Sequence, residues 1–264
     1  MALGPGDIPG WLPTLPRRLG KQPYARLVNG RVERRIAVLQ KRLSAITFGR
    51  RKPALATVPI GSGKRYELAI MFLDICEFTK WPNSDHWDQS IVLLVLDVFL
   101  AEMVSIVRDH RGMVEKNTGD GLMAYFGTDV QSAQETIKPA VEAAVIMHTV
   151  ADRFLNPRLQ SLGLWPVRFR IGIDYGPVTV GRVGVRSGPD SSVANSFVAI
   201  GEAANVACRL LECGRPGTIS IGDRVYDYLP HNWGATCTIL DTVKTGGGAD
   251  YLIWELGYRP PIGN

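Results

Sequence analysis

At the centre of the chain two short apolar runs, GMVEKNT (112–118) and GLMAYFG (121–127), meet at Gly119–Asp120–Gly121. A Gly-Asp-Gly turn between strand-like runs is a strong hairpin signal, and it puts two antiparallel neighbours into whatever sheet the chain builds. Around this hairpin, strand and helix patterns alternate. ELAIMFLDI (67–75) reads as a strand ending at Asp74, and a long helix follows around 87–110. Another helix is expected over 131–154. VRFRIGIDYG (167–176) and PVTVGRVG (177–184) read as two strands, and a polar loop (186–196) leads through a short strand to a helix beginning near 202. GTISIGDRVYDYL (217–229) adds a strand and a short helix, and strands near 235–241 and 251–256 finish the chain. This order predicts an α+β sandwich whose mixed sheet is flanked by helices.

The 264 residues have room for one sizeable domain and an appendage, and 45% hydrophobic with 21% charged residues is an ordinary globular balance. Charge divides the two parts. Residues 1–65 carry 14 Lys/Arg against Asp7 and Glu33, a net of +12, while the remainder carries −7. Pro5, Pro9, Pro13, Pro16 and Pro23 predict an extended arm over 1–23. Beyond it Val32, Ile36, Leu39, Leu43 and Ile46 recur at alternating four and three spacing, which predicts a basic helix with one apolar seam. A dimer contact is the favoured use of that seam, and packing against its own domain is the alternative. Residues 50–65, rich in Gly, Pro and basic side chains, read as a linker. The expected division is therefore a basic arm, helix and linker over 1–65 and a main domain over 66–260.

Composition also excludes some classes. The basic segment 17–52 has no reading motif and no aromatics interleaved with its basic cluster beyond Tyr24 and Phe48, so nucleic-acid binding is not expected. Gly63–Lys64 is followed by Arg65, with Val58 where a P-loop needs its first glycine. Cys76, Cys208, Cys213 and Cys237 form no CxxC pair and no zinc spacing, which suits a reducing compartment. The start MALGPGDIPGW has no signal pattern, and the apolar window 90–107 is interrupted by Asp97 and Glu102. A buried helix, no stable membrane insertion and a cytoplasmic location are the expectations.

Five polar residues stand at element edges. Asp74 and Asp120 each terminate a mostly apolar strand pattern, where a buried charge is costly unless paired or metal-bound. Lys116 lies four residues before Asp120. Asn205 and Arg209, in IGEAANVACRL (200–210), are four apart and share one helix face. Two carboxylates, two cations and an amide are equipment for phosphate chemistry on metal ions. Taken singly, each has a plainer role: a turn aspartate, a helix cap, a solvated lysine, a surface arginine.

In combination, FLDICEFT (72–79), EKNTGDGLMAYFG (115–127), RIGIDYGPVTVGRVG (170–184), AIGEAANVACRL (199–210) and PGTISI (216–221) resemble the class III nucleotidyl cyclase homology domain from about Tyr66 to Leu256. The resemblance implies a ferredoxin-like α+β catalytic domain and a head-to-tail homodimer with active sites shared between subunits. It implies that Asp74, Asp120 and the carbonyl of Ile75 hold two divalent ions, Mn²⁺ or Mg²⁺. From the other subunit, Asn205 would orient the ribose and Arg209 would stabilise charge on the α-phosphate. Lys244, in TVKTGGG, matches a triphosphate-binding lysine, although its loop is one residue longer than the pattern, and the amides of Ile75 to Thr79 would approach the phosphates. The implied reaction is attack of a 3′-hydroxyl on its own α-phosphorus with loss of pyrophosphate. None of the four histidines has the context of a dedicated base.

Base selection departs from the adenylate cyclase pattern, in which a Lys and an Asp or Thr read adenine. Lys116 fills the first role, but Val198 stands in the second and offers no acceptor to an exocyclic amino group. Uracil, with carbonyls at O2 and O4, suits a lysine donor, and Phe78 matches a base-packing position that is equally readable as core. The valine and the absence of a visible sensor module resemble the pyrimidine cyclases of bacterial Pycsar anti-phage systems. That resemblance implies cyclic UMP, then cyclic CMP, made for a separate cyclic-nucleotide-responsive effector. An adenylate cyclase with an unusual pocket is the alternative, and a catalytically inactive dimerisation module is the non-enzyme reading.

Overall fold

The structure, a computed structural model, describes residues 22–42, 63–78, 88–117, 119–127, 132–185, 194–244 and 248–257. Its centre is β1 (Gly63–Ile75), paired antiparallel on both edges: with β3 (Gly121–Phe126) through Asp74↔Gly121 and with β4 (Phe169–Val185) through Ile75↔Phe169. A strand covered on both faces needs apolar residues at consecutive positions, and Leu68, Ala69, Ile70 and Met71 are all buried. The expected hairpin forms, with β2 (Met113–Asn117) antiparallel to β3 and one register irregularity between Val114 and Lys116. Beyond β4 the order runs through β6 (Ile219–Gly222), parallel to β4, to β8 (Asp250–Glu255) and β7 (Thr238–Lys244). The strand β5 (Ala194–Ile200) pairs with the far end of β4.

The two strands expected over 167–184 are one strand of 17 residues. Pro177 misled the pattern. On one edge it stays in register with β1, opposite Glu67. On the other edge β6 pairs with 171–173 and β5 with 179–185, so the proline lies where that ladder is already interrupted.

Period-two alternation sorts side chains onto the two faces. On one face Ala69, Met71, Leu73, Leu122, Ala124 and Phe126 pack under α2 (Gln89–Asp109) and α3 (Ala133–Val150) in the main core. Asp88 caps α2 by accepting from Ser90 N–H, and Ser132 Oγ caps α3 by accepting from Glu135 N–H while donating to Glu135 Oε2. After α3 comes a π-helical turn, 151–155, and then α4 (Asn156–Ser161). On the opposite face Leu68, Ile70, Met123, Tyr125 and Val178 meet Ala203, Ala204 and Ala207 of α5 (Glu202–Cys213). Short helices α6 (Asp223–Tyr226) and α7 (His231–Gly234) follow β6.

The basic helix α1 (Gln22–Arg42) is the main surprise. Its seam packs inside its own protomer, with Val28, Val32 and Ile36 buried in the main core against α2 and the π-helical turn. The favoured use of that seam as a dimer contact therefore does not hold for these residues. Sequence periodicity locates an apolar face but carries nothing about which surface it meets. Leu43 and Ile46, and the side chain of Leu39, lie outside the described residues, as do the arm over 1–21 and most of the expected linker. β1 begins at Gly63, three residues before the expected domain boundary. By length and composition α2 is apolar enough to cross a membrane, but 56% of its apolar window is buried inside the protein.

Candidate active site

Asp74 stands on the same face of β1 as Ile70 and Phe72, the side that α5 covers, one residue from the strand's end. Its Cα lies opposite Gly121 on one neighbour and Arg170 on the other. Asp120 immediately precedes Gly121, so the hairpin turn delivers the second carboxylate beside the first. Burial pushes the Asp120 carboxyl above the usual range, and the charge of Asp74 pushes it the same way. A carboxyl whose proton affinity rises beside a second carboxylate marks a site short of positive charge.

Arg170 supplies part of that charge. Its Nε and Nη2 donate to Asp74 Oδ2 at 3.2 and 3.0 Å, and its Nη1 donates to the Gly214 carbonyl at 3.4 Å. Sequence reasoning passed over Arg170. The signal available was an arginine set between apolar residues, Phe169 and Ile171, but only the β1–β4 register makes it Asp74's neighbour. The chain then turns sharply: Cys76 N–H donates to Arg168 O at 2.8 Å and Glu77 adopts φ 61°, a left-handed conformation uncommon for a residue with a Cβ. Among the described residues no group of three or more His, Cys, Asp or Glu side chains forms a metal cage. A divalent ion here would rest on Asp74, Asp120, backbone carbonyls such as that of Ile75 and the ligand's own oxygens. That donor set suits Mg²⁺ or Mn²⁺ with a bound phosphate.

The positions expected to read the base lie on two strands that approach each other. Lys116 is carried by β2, and half-buried Val198, opposite Gly181, by β5. The side chain of Lys116 and the whole of Thr79 lie outside the described residues. Phe78 packs against the main core, on the side of its plainer reading.

Asn205 and Arg209 occupy the outer face of α5, exposed, while Ala203, Ala204, Val206, Ala207 and Leu210 are buried. Among the described residues neither outer side chain has a hydrogen-bond or ionic partner. Both project away from the sheet face on which the aspartates stand. Lys244 ends β7 opposite Asp250, with Nζ 2.5 Å from the Asp250 carboxylate and both side chains about two-thirds exposed. One protomer thus carries a carboxylate pair on one side of α5 and an amide–guanidinium pair on the other.

The sequence profile of the adenylate and guanylate cyclase catalytic domain matches residues 62–254. This chain belongs to that family. The adenylate cyclase of Anabaena cylindrica is 29% identical over 159 residues, covering 59% of this chain and 29% of that protein. The receptor-type guanylate cyclase gcy-4 of Caenorhabditis elegans is 25% identical over 228 residues, 83% of this chain and 19% of that protein. The cyclase chain thus spans less than a third of the length of these relatives. Among solved structures, the adenylyl cyclase CyaB from P. aeruginosa superimposes with a TM-score of 0.63 at 24% identity, covering 77% of this chain and all of that one. The shared fold is the mixed, mainly antiparallel sheet flanked by helices described above.

Proposed function

We propose that this chain is a metal-dependent nucleotidyl cyclase that converts a pyrimidine nucleoside triphosphate, UTP before CTP, to its 3′,5′-cyclic monophosphate. The observation that carries the reading is the opposed placement of the two functional sets, Asp74 with Asp120 on the sheet and Asn205 with Arg209 outward on α5. Neither set is complete alone. A head-to-tail homodimer brings the aspartates of one subunit to the α5 of its twin and closes one site around one nucleotide.

Asp74, Asp120 and the Ile75 carbonyl would hold the divalent ions, whose chemistry is charge neutralisation on the triphosphate and acidification of the 3′-hydroxyl. The 3′-oxygen forms a bond to the α-phosphorus, the bond to the β-phosphate breaks, pyrophosphate departs and the hydroxyl proton passes to solvent. In this scheme Asn205 holds the ribose, Arg209 meets charge on the α-phosphate, and Lys244 binds the leaving pyrophosphate. Arg170, which bonds Asp74 in the unliganded site, would be free to meet the phosphates once a divalent ion takes its place.

Val198 supports the pyrimidine assignment. It presents no acceptor, so an adenine N6 or cytosine N4 amino group loses a partner worth about 1–3 kcal/mol, whereas uracil carries no exocyclic amino group and its O2 and O4 carbonyls suit a lysine donor such as Lys116. The product then serves as a cytoplasmic second messenger for a separate effector, with anti-phage defence as its setting. A second reading, cyclic AMP synthesis, is favoured by the similarity to the Anabaena protein, which is named an adenylate cyclase. Incubating the purified chain with all four triphosphates and Mn²⁺, followed by mass spectrometry of the products, separates the two. Cyclic UMP in excess is expected, cyclic AMP in excess overturns the pyrimidine assignment, and no cyclic product overturns the enzyme.

A further inference from the structure

A buried polar network joins three elements behind α5. Asp174, in β4, has no exposed surface. The Tyr251 hydroxyl, from β8, donates to Asp174 Oδ1 at 2.5 Å and accepts from the Arg224 backbone N–H at 3.0 Å. The guanidinium of Arg224 lies 5.4 Å from the Tyr251 ring centroid, and its Nη2 donates to Glu202 Oε2 at 2.8 Å. Gly222 is required beside this arrangement, because a Cβ there would come within 2.3 Å of Asp174 Oδ1 and 2.6 Å of the Tyr251 hydroxyl. Asp174 Oδ2 and Arg224 Nη1 are buried with no hydrogen-bond partner among the described residues. A core built for stability alone would replace such atoms with apolar ones.

The two ends of the network are informative. Glu202 lies in the first turn of α5, where a carboxylate also answers the helix dipole. Asn205 follows it by three residues and Arg209 by seven, on the same helix. At the other end, Tyr251 pairs with Val243 across the β7–β8 hairpin, next to the Lys244–Asp250 pair. The network therefore ties the helix bearing Asn205 and Arg209 to the hairpin bearing Lys244.

We propose that Asp174, Tyr251 and Arg224 are positioning residues that fix α5 against the β7–β8 hairpin, so that Asn205, Arg209 and Lys244 address one triphosphate in register. The inference rests on the cyclase reading above and adds three residues that touch no substrate. Misplacement of α5 relative to the hairpin weakens contacts made in the transition state more than those made on binding, so kcat moves and KM does not.

The test compares the full-length wild type with Tyr251→Phe, which keeps the ring and removes the hydroxyl, and Asp174→Asn, which keeps the acceptor and volume. Cyclic-nucleotide kinetics, thermal melting and hydrogen–deuterium exchange at the amides of 202–206 are read together. For Tyr251→Phe, kcat falls about tenfold with KM within about twofold, and exchange in the first turn of α5 quickens selectively while other helices keep their protection. Asp174→Asn, which still accepts from Tyr251, retains more activity than Tyr251→Phe. Unchanged exchange at 202–206 in Tyr251→Phe overturns the tether, as does a loss of activity that only follows the melting temperature. A wild type that makes no cyclic product overturns the cyclase reading and the catalytic consequence with it, a failure distinguishable because exchange needs no turnover.

Discussion

Asp74 is held by Arg170 on one side and pressed by Asp120 on the other, and these neighbours decide what its removal does. In Asp74→Ala the guanidinium loses a partly exposed partner, a change worth no more than about 1 kcal/mol of stability. Turnover is expected to fall by at least about 100-fold, since even outer-shell partners of metal ligands are worth 10–100-fold. Normal turnover in a folded Asp74→Ala dimer would remove the metal assignment. Lys244 gives a finer test. Its ion pair with Asp250 is largely exposed and so contributes about 0.2–1 kcal/mol, a pairing that a triphosphate bound at Lys244 would have to displace. Asp250→Asn is expected to lower KM for the triphosphate by up to about fivefold with kcat unchanged, and a raised KM would contradict the placement of Lys244 at the phosphates. At the proposed base-reading position, Val198→Asp introduces an acceptor. The ratio of ATP and CTP turnover to UTP turnover should rise about tenfold, and an unmoved ratio means that residue 198 does not read the base.

The elements differ in how much of their placement the sequence carries. The Gly-Asp-Gly hairpin, the long apolar helix and the helix beginning at residue 202 were legible, because turn chemistry and period are local properties. Asp74 and Asp120 were legible as strand-end residues, and Asn205 with Arg209 as partners on one helix face, for the same reason. Arg170 was not, since its meeting with Asp74 depends on the register of two strands nearly a hundred residues apart. Nor was the unbroken run of β4 through Pro177, which depends on which edges its neighbours leave unpaired. The destination of α1 was the largest gap. Its apolar seam was visible, but the partner is signalled only by Glu102, an acid within α2's apolar run that has no exposed surface. Arg31 bonds Glu102 at 3.1 Å and Asp109 at 2.6 Å, Arg35 pairs with Glu102, and an Nη2 of Arg35 donates to Ser105 Oγ at 2.7 Å. An arginine pair around a buried carboxylate is fragile to one-sided change. Replacing Arg31 and Arg35 together by Met strands the charge of Glu102 and is expected to cost about 3–5 kcal/mol in urea unfolding, with much of it returned by adding Glu102→Met. If the double variant is as stable as wild type, α1 is not docked on α2 in solution.

For the molecule as a whole, two buried groups pull stability in opposite directions as pH falls. His148, stacked on Phe169 with ring centroids 4.2 Å apart, is pushed by burial down to about 4. Its unfolded counterpart takes up a proton from about 6.5 downward, so acid favours the unfolded chain between those values. Asp174 behaves in the reverse sense. Burial raises it to about 7, against the partial opposition of the Tyr251 hydrogen bond, the Tyr175 N–H and Arg224, and with Glu202 adding to the rise. The folded protein therefore holds a proton that the unfolded chain has released between roughly 3.9 and 7. That contribution is complete below the lower value and is lost as pH rises through about 7. Across the interval where both act, the two slopes offset each other at about 1.4 kcal/mol per pH unit each. Asp174→Asn removes one of them. The variant should hold its greatest stability advantage over wild type above pH 7 and lose it steadily towards pH 4, at up to about 1.4 kcal/mol per unit. Other titrating groups are common to both proteins and drop out of that difference. Urea unfolding of the pair at half-unit steps reads it directly, and a constant offset across the range would mean that Asp174 enters the folded state already ionised.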